Sequence, residues 1–272
     1  MVQTTKRTAR VVAVVGKGGT GKTATVAMMG RVLRDLPEAG RLLLVDADPA
    51  GGLLSALGVK VRRTMGEVRE RIIRTAKGSD EQAKAELADQ IEYLAFEALT
   101  EMDGFGVLAM GRTETLGCYC PVNSLLRDAI ASLSKSFDTI VVDGEAGLEQ
   151  VNRQVVKRLQ TLVVLTDPTA RGIETAATIK EMVEVDRTMR CERLGLVFNR
   201  VRGNEAALED AAARIGMDVF GMIPYDDHVA DFDFAGTPIT GLPDDAPSLA
   251  ALRDVVTHHV VTPAATSGSH PG

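Results

Sequence analysis

GKGGTGKT, residues 16–23, is the stretch on which the reading of this chain turns. It follows the apolar run Val11 to Val15, opens a helical stretch, and satisfies the pattern of a glycine, four residues, then Gly-Lys-Thr in a strand, loop, helix setting. Glycines are needed because backbone amides have to turn inward around phosphate oxygens, and the following helix adds its positive N-terminal end to the same point. Gly16, Gly18, Gly19, Thr20 and Gly21 are the cradle, Lys22 is expected to reach the β and γ phosphates, and Thr23 to offer its hydroxyl to Mg2+. Thr25, in the first turn of the helix, joins the candidate nucleotide-binding set.

Outward from this loop, short β-branched runs alternate with longer helical stretches, the pattern of a parallel sheet wrapped by helices. Strands are predicted at Arg10 to Val15, Arg41 to Asp46, Gly106 to Met110, Thr139 to Asp143, Thr161 to Thr166 and Leu194 to Asn199. Runs such as LLLV and TIVV are unbroken, as expected of strands covered on both faces. Helices are predicted at Thr23 to Leu36, Pro121 to Ser136, Glu149 to Leu159, Ala170 to Val185 and Asn204 to Ile215. The fold class is α/β: one P-loop NTPase domain over 1–262, with a mostly parallel central sheet covered by helices on both faces. Residues 263–272 are small, polar and broken by proline, and are expected to be a disordered tail. Between Lys60 and Ala88, Met65, Val68, Ile72 and Ile73 recur at helical spacing among arginines, which predicts a solvated helix pair.

A length of 272 residues and 45% hydrophobic content suit a single large α/β domain. No apolar run approaches the roughly 20 residues of a membrane helix, and Val11 to Val15 ends in the glycine loop instead of a cleavage site. Neither a signal peptide nor a membrane anchor is expected. Three cysteines fit a reducing compartment better than a disulfide framework, so the cytoplasm is the expected location. A net charge of -6 gives no global attraction to nucleic acid or anionic lipid.

Lys17 is superfluous for an ordinary nucleotide loop. With it the segment reads KGGTGKT and resembles the deviant Walker A of the MinD, ParA and nitrogenase iron protein class. The resemblance implies an ATPase that closes into a homodimer around ATP, with Lys17 crossing to the partner's nucleotide as an arginine finger does. VDADPAGG carries Asp46 and Asp48 at the carboxyl edge of a strand, where ligands of such sheets bind. It looks like the first switch of the class, which makes Asp48 the candidate for orienting the attacking water and Asp46 a support near Mg2+. Asp143, at the end of TIVVD, has the Walker B position beside the metal's water shell. The class implies adenine recognition by Asn199, at the end of LGLVFN, and base contacts from Pro224 and Tyr225 in a covering loop, IPYDDHVADFDFAGTPI.

Cys118 and Cys120 lie two residues apart in GCYCPVN, so in extended backbone both thiols face one point. Two thiolates are half of a four-ligand Zn2+ or Ni2+ site, and a two-fold dimer with the pair on its axis supplies the other half. GRTETLGCYCPVN with VVDGEAGLEQ and IPYD resembles the CooC-type ATPases that mature nickel carbon monoxide dehydrogenase. That resemblance implies ATP-dependent nickel insertion into the client's cluster, or into acetyl-CoA synthase in a sister branch, with metal held by the paired cysteines.

Three rival readings are weaker. A nitrogenase-type iron protein would carry a cysteine just after Walker B, where GEAGLEQ has none. A MinD-like positioning protein would end in a basic amphipathic helix, unlike SLAALRDVVTHHVV and its polar tail. A ParA-like DNA partition protein would need a basic surface, offered only by the stretch Arg62 to Lys77. Cys191 is read as a free structural or surface thiol, His258 and His259 as neighbours of a frayed terminus that do not chelate jointly, and Glu145 and Glu149 as exposed carboxylates outside the active site.

Overall fold

The computed structural model describes residues 9–48, 51–77, 93, 96–111, 131, 135–144, 158–185 and 190–262. In chain order these form β1 (Arg10–Val15), α1 (Lys22–Arg34), β2 (Leu42–Asp46), α2 (Gly52–Leu57), α3 (Met65–Lys77), β3 (Leu99–Met102), β4 (Phe105–Ala109) and β5 (Thr139–Asp143). Then follow β6 (Arg158–Thr166), α4 (Ala170–Val185), β7 (Arg190–Val201), α5 (Glu205–Arg214), β8 (Asp218–Pro224), α6 (Asp227–Ala235) and α7 (Pro247–Val256). The strands make one sheet in the order β3-β4-β2-β5-β1-β6-β7-β8, parallel throughout except for the antiparallel edge pair β3 and β4.

Alternation along each strand explains why the runs are apolar without interruption. Val11, Ala13 and Val15 face one side with Ile140, Val142, Leu162 and Val164, against Met65 and Val68 of α3, Ile179 of α4 and Ala212 of α5. Val12 and Val14 face the other side with Leu42, Leu44, Val141, Val163 and Leu165, against α1, α2 and α7. Both faces are therefore dry, as the predicted two-sided covering requires. β1 lies between β5 and β6, so the loop that leaves its carboxyl end opens over the middle of the sheet.

α1 is buried along most of its length, from Thr25 to Leu33, because the sheet lies under it and α7 over it. Gly30 meets β2 closely enough that a Cβ there would stand 2.6 Å from Leu44 Cδ1. Arg31 ties the outer side of α1 to the chain before α7, donating to the Leu242 carbonyl and pairing with Asp244.

The six predicted strands and the helices α1, α4 and α5 are present within a few residues of their expected ends. Four corrections apply. Arg158 and Leu159, expected to close a helix, belong to β6 because they pair with Arg190 and Cys191. β3 and β8 are additional strands. The covering segment after Pro224 is not a plain loop but contains α6, started by Asp226 accepting from the His228 amide at 3.0 Å. The stretch around His258 and His259 is anchored: Arg193 donates to the carbonyls of His258, His259 and Thr262, and the His259 ring stacks on Phe220 with centroids 4.1 Å apart. The rest of the predicted helix pair, the helix at 121–136 and residues 145–157 lie outside the described residues, apart from single positions. So does the tail.

Candidate functional site

Elementary sterics shape the loop from β1 to α1. Gly16 has a φ of 151° and lies so near β6 that a Cβ would be 2.1 Å from the Leu165 carbonyl oxygen. Gly21 caps α1 with a φ of 89°, left-handed backbone that glycine adopts without strain. Between them, the Thr20 hydroxyl and amide both donate to the Lys17 carbonyl, at 2.9 and 3.4 Å, closing a turn whose tip, Gly18 and Gly19, is exposed. Lys22 folds back over this turn, its Nζ donating to the carbonyls of Gly16 at 3.0 Å and Lys17 at 3.3 Å. The Lys17 ammonium has no hydrogen bond or ion pair among the described residues.

The acids gather at one edge of the loop. Asp46 and Asp143 are Cα partners at the ends of β2 and β5, and both are buried. Asp46 accepts from the amides of Asp48 at 3.2 Å and Leu53 at 3.1 Å, which pins the segment after β2 to the sheet edge. Burial nevertheless raises its pKa to about 6. Burial raises that of Asp143 to about 7, assisted by the charge of Asp46 and opposed by a hydrogen bond from Thr23 and the charge of Lys22. Asp143 Oδ2 and Thr25 Oγ1 are buried without a hydrogen-bond partner. Gly52, where α2 begins, has its Cβ direction 3.4 Å from Thr23 Cγ2, so the acidic segment and the threonine of the loop are neighbours. A buried carboxylate oxygen in need of a partner, beside a threonine hydroxyl, is a hard oxygen donor set of the kind Mg2+ takes.

From the other side, Asn199 at the end of β7 donates to the Thr20 carbonyl at 2.8 Å. Pro224 and Tyr225 follow at the end of β8, Pro224 opposite Val201 and the Tyr225 amide donating to the Val201 carbonyl at 2.9 Å. The Tyr225 ring carries the Arg202 guanidinium 3.8 Å from its centroid. Neither residue has a hydrogen bond or ring contact to the loop among the described residues. Thus Lys22, Thr23, Asp46 and Asp143 form one group, Asn199 meets the loop, and Pro224 and Tyr225 stand one strand further out. Asp48 lies just beyond Asp46, half-buried. Cys118 and Cys120 lie outside the described residues, as do Glu145 and Glu149. Cys191 is a half-buried free thiol donating to the Arg193 carbonyl at 3.1 Å, with its pKa raised by burial.

One neighbour of the loop escaped the sequence reading. Arg200 donates from Nη1 to the Gly19 carbonyl at 3.2 Å. Its only signal is its place after Asn199, and nothing in the residue type announces the backbone that turns it toward the loop.

Comparison with known proteins agrees with this geometry. The profile of the CobQ/CobB/MinD/ParA nucleotide binding domain matches residues 11–239. An uncharacterized ATP-binding protein of Methanocaldococcus jannaschii is 34% identical over 236 residues, covering 86% of this chain and 92% of its own. The carbon monoxide dehydrogenase accessory protein CooC of Rhodospirillum rubrum is 29% identical over 239 residues, covering 83% and 87%. Among solved structures, the MinD cell division protein of Aquifex aeolicus superposes with a TM-score of 0.66 at 20% identity, over 92% of this chain and 95% of that one. Among the described residues, no helix is long and apolar enough to cross a membrane. The chain is a P-loop ATPase and belongs to the CobQ/CobB/MinD/ParA family of nucleotide-binding domains.

Proposed function

We propose that this ATPase is an ATP-switched homodimer that assists nickel insertion into the metal cluster of carbon monoxide dehydrogenase or of the related acetyl-CoA synthase. The observation that carries the reading is the likeness to the CooC accessory protein over most of both chains, in a sequence that places Cys118 and Cys120 two residues apart.

In this reading the amides of Gly16 to Thr23 cradle the phosphates of ATP, and Lys22 exchanges its carbonyl partners for the β and γ phosphates. Thr23 and Asp143, with Asp46 beside them, would hold Mg2+, which supplies positive charge against the phosphate oxygens. Asp48 orients the water that attacks the γ phosphorus. Asn199, Pro224 and Tyr225 border the adenine. Lys17, whose ammonium has no partner among the described residues, reaches across the two-fold axis to the partner's γ phosphate and stabilises charge that develops on transfer. Closure brings the Cys118 and Cys120 pairs of two chains together around one Ni2+ or Zn2+, the cargo, and hydrolysis loosens them.

A MinD-like positioning role would use the same fold and loop. Against it, Leu249, Leu252, Val255 and Val256 of α7 are buried against α1 and the sheet, so this helix has no apolar face left for a membrane.

The deciding experiment is metal content per dimer, measured with and without ATP, in the wild type and in Cys118→Ser, Cys120→Ser and Cys191→Ser. One thiolate-bound ion per two chains, lost in the first two variants and kept in the third, is expected. One tight ion per isolated monomer, or binding indifferent to both paired cysteines, would leave an ATPase without this cargo.

A further inference from the structure

Phe198 pairs with Met222 and Val201 with Pro224, so three steps along β7 match two along β8. The extra residue makes a β-bulge at Asn199 and Arg200, and Arg200 accommodates it with a φ of 59°. Such left-handed backbone is the natural place for glycine and is sterically adverse for an arginine. Among the described non-glycine residues only Asn204 shares it. Strain of this kind persists where the surroundings gain from the side chain it presents.

What the bulge achieves is a change of aim. In a regular strand two consecutive side chains leave on opposite faces. Here Asn199 Nδ2 holds the Thr20 carbonyl at 2.8 Å, and Arg200 Nη1 holds the Gly19 carbonyl at 3.2 Å. Two successive side chains thus grip two successive carbonyls of the phosphate loop. Asn199 Oδ1 also accepts the Arg200 amide at 2.9 Å, which stiffens the bulge itself. The approach is close: a Cβ on Gly21 would stand 2.6 Å from Asn199 Nδ2 and 3.8 Å from Arg200 Nη2.

A trans peptide points its C=O and its N–H in opposite directions, so gripping these carbonyls also sets where the following amides point. That of Thr20 closes the turn onto the Lys17 carbonyl at 3.4 Å. We propose that Arg200 is a positioning residue for nucleotide phosphate: acting through the Gly19 peptide, it keeps the exposed tip of the loop in its anion-binding shape. The proposal rests on the phosphate-loop assignment and is independent of the cargo.

Arg200→Gly and Arg200→Lys separate this role from a structural one, with Mg-ADP titrated into the full chain and melting followed in parallel. Glycine suits the backbone at φ 59° and removes the guanidinium, so Arg200→Gly is expected to melt at or above the wild-type temperature. It should nevertheless bind Mg-ADP about tenfold more weakly, for loss of a charge-assisted hydrogen bond that orders the loop. Arg200→Lys, with one compact donor, should recover part of the affinity. Wild-type affinity in Arg200→Gly, or an affinity loss that merely follows a fall in melting temperature, overturns the proposal. Lys22→Ala serves as control: if it keeps wild-type Mg-ADP affinity the phosphate-loop assignment itself fails, whereas if it loses binding and Arg200→Gly does not, only the role of Arg200 falls.

Discussion

Asp46 and Asp143 face each other as register partners at the ends of β2 and β5, two buried carboxyls on adjacent strands with pKa values raised to about 6 and about 7. Without a cation they are a burden on the fold. Relative to an unfolded value of 3.8, the folded chain holds the Asp143 proton more tightly, so the nucleotide-free protein loses stability as pH rises from about 4 to about 7. Above that window the full penalty applies, of order 4 kcal/mol for a shift from 3.8 to about 7. Asp143→Asn is therefore expected to melt several degrees above the wild type at pH 8, with the gap closing toward pH 4. Mg-ADP should then raise the wild-type melting temperature more than that of the variant. A variant that melts below the wild type at pH 8 would refute the assignment of strain to this pair.

Loss of Lys22 removes the cation that the loop keeps folded over the Gly16 carbonyl. Lys22→Ala should lower ATP turnover by about a hundredfold or more. Asp48→Ala should bind Mg-ATP yet hydrolyse it at a small fraction of the wild-type rate. Steady-state phosphate release and nucleotide titration distinguish the two, and wild-type turnover in Lys22→Ala would remove the phosphate-loop mechanism.

Lys17 differs from Lys22 in having no intramolecular partner among the described residues. If its function is carried out on a second chain, Lys17→Gln should retain nucleotide binding within a few-fold and lose both ATP-driven dimerisation and most activity. Size-exclusion chromatography with light scattering, run with a slowly hydrolysed ATP analogue, reads this directly. An unchanged dimer with wild-type turnover would confine Lys17 to its own subunit.

Asp226 titrates in the opposite sense. Burial pulls its pKa up, but hydrogen bonds from Ser248 and His228 outweigh that and leave it below the ordinary value. It accepts from the Ser248 hydroxyl at 2.7 Å and amide at 3.0 Å, joining the start of α6 to the start of α7. Its contribution is present above the ordinary carboxylate pKa of 3.8 and is lost as pH falls through the lower folded value. Asp226→Ala should cost about 3 kcal/mol in urea unfolding at pH 7 and shift acid unfolding upward. A cost below about 0.5 kcal/mol would mean that Ser248 finds another partner.

The centre of the sheet and the phosphate loop were legible because local and tertiary demands coincide there. Runs such as Leu42 to Val45 are apolar on both alternations, and the glycine pattern admits few other uses. What escaped depends on distant partners. Strand β8 gives no clear strand signal because Gly221 interrupts it, yet that glycine is there to admit Val255 of α7, whose Cγ2 would be 2.4 Å from a Cβ. Arg158 and Leu159 were assigned to a helix by their neighbours and drawn into β6 by pairing with Arg190 and Cys191. α6 buries none of its residues and so has little periodicity to read; its start is fixed by Ser248, 22 positions from Asp226. In the site, each acid and glycine announced itself by spacing, whereas the bulge at Arg200 is set by the register with β8 and leaves no mark on composition.

The covering of α1 by α7 also fixes an order of events at the ribosome. The helix that follows the phosphate loop is made early, and the helix that seals its outer side, with Arg31 reaching for Leu242 and Asp244, is made far downstream. Until Pro247 to Val256 have emerged, Met28, Met29 and Val32 share their cluster with the sheet and with Leu53 and Leu57 of α2 but lack the cover of Leu249 and Leu252. The outer side of α1 is thus sealed by chain made long after it: Arg31 reaches Leu242 across 211 positions of sequence.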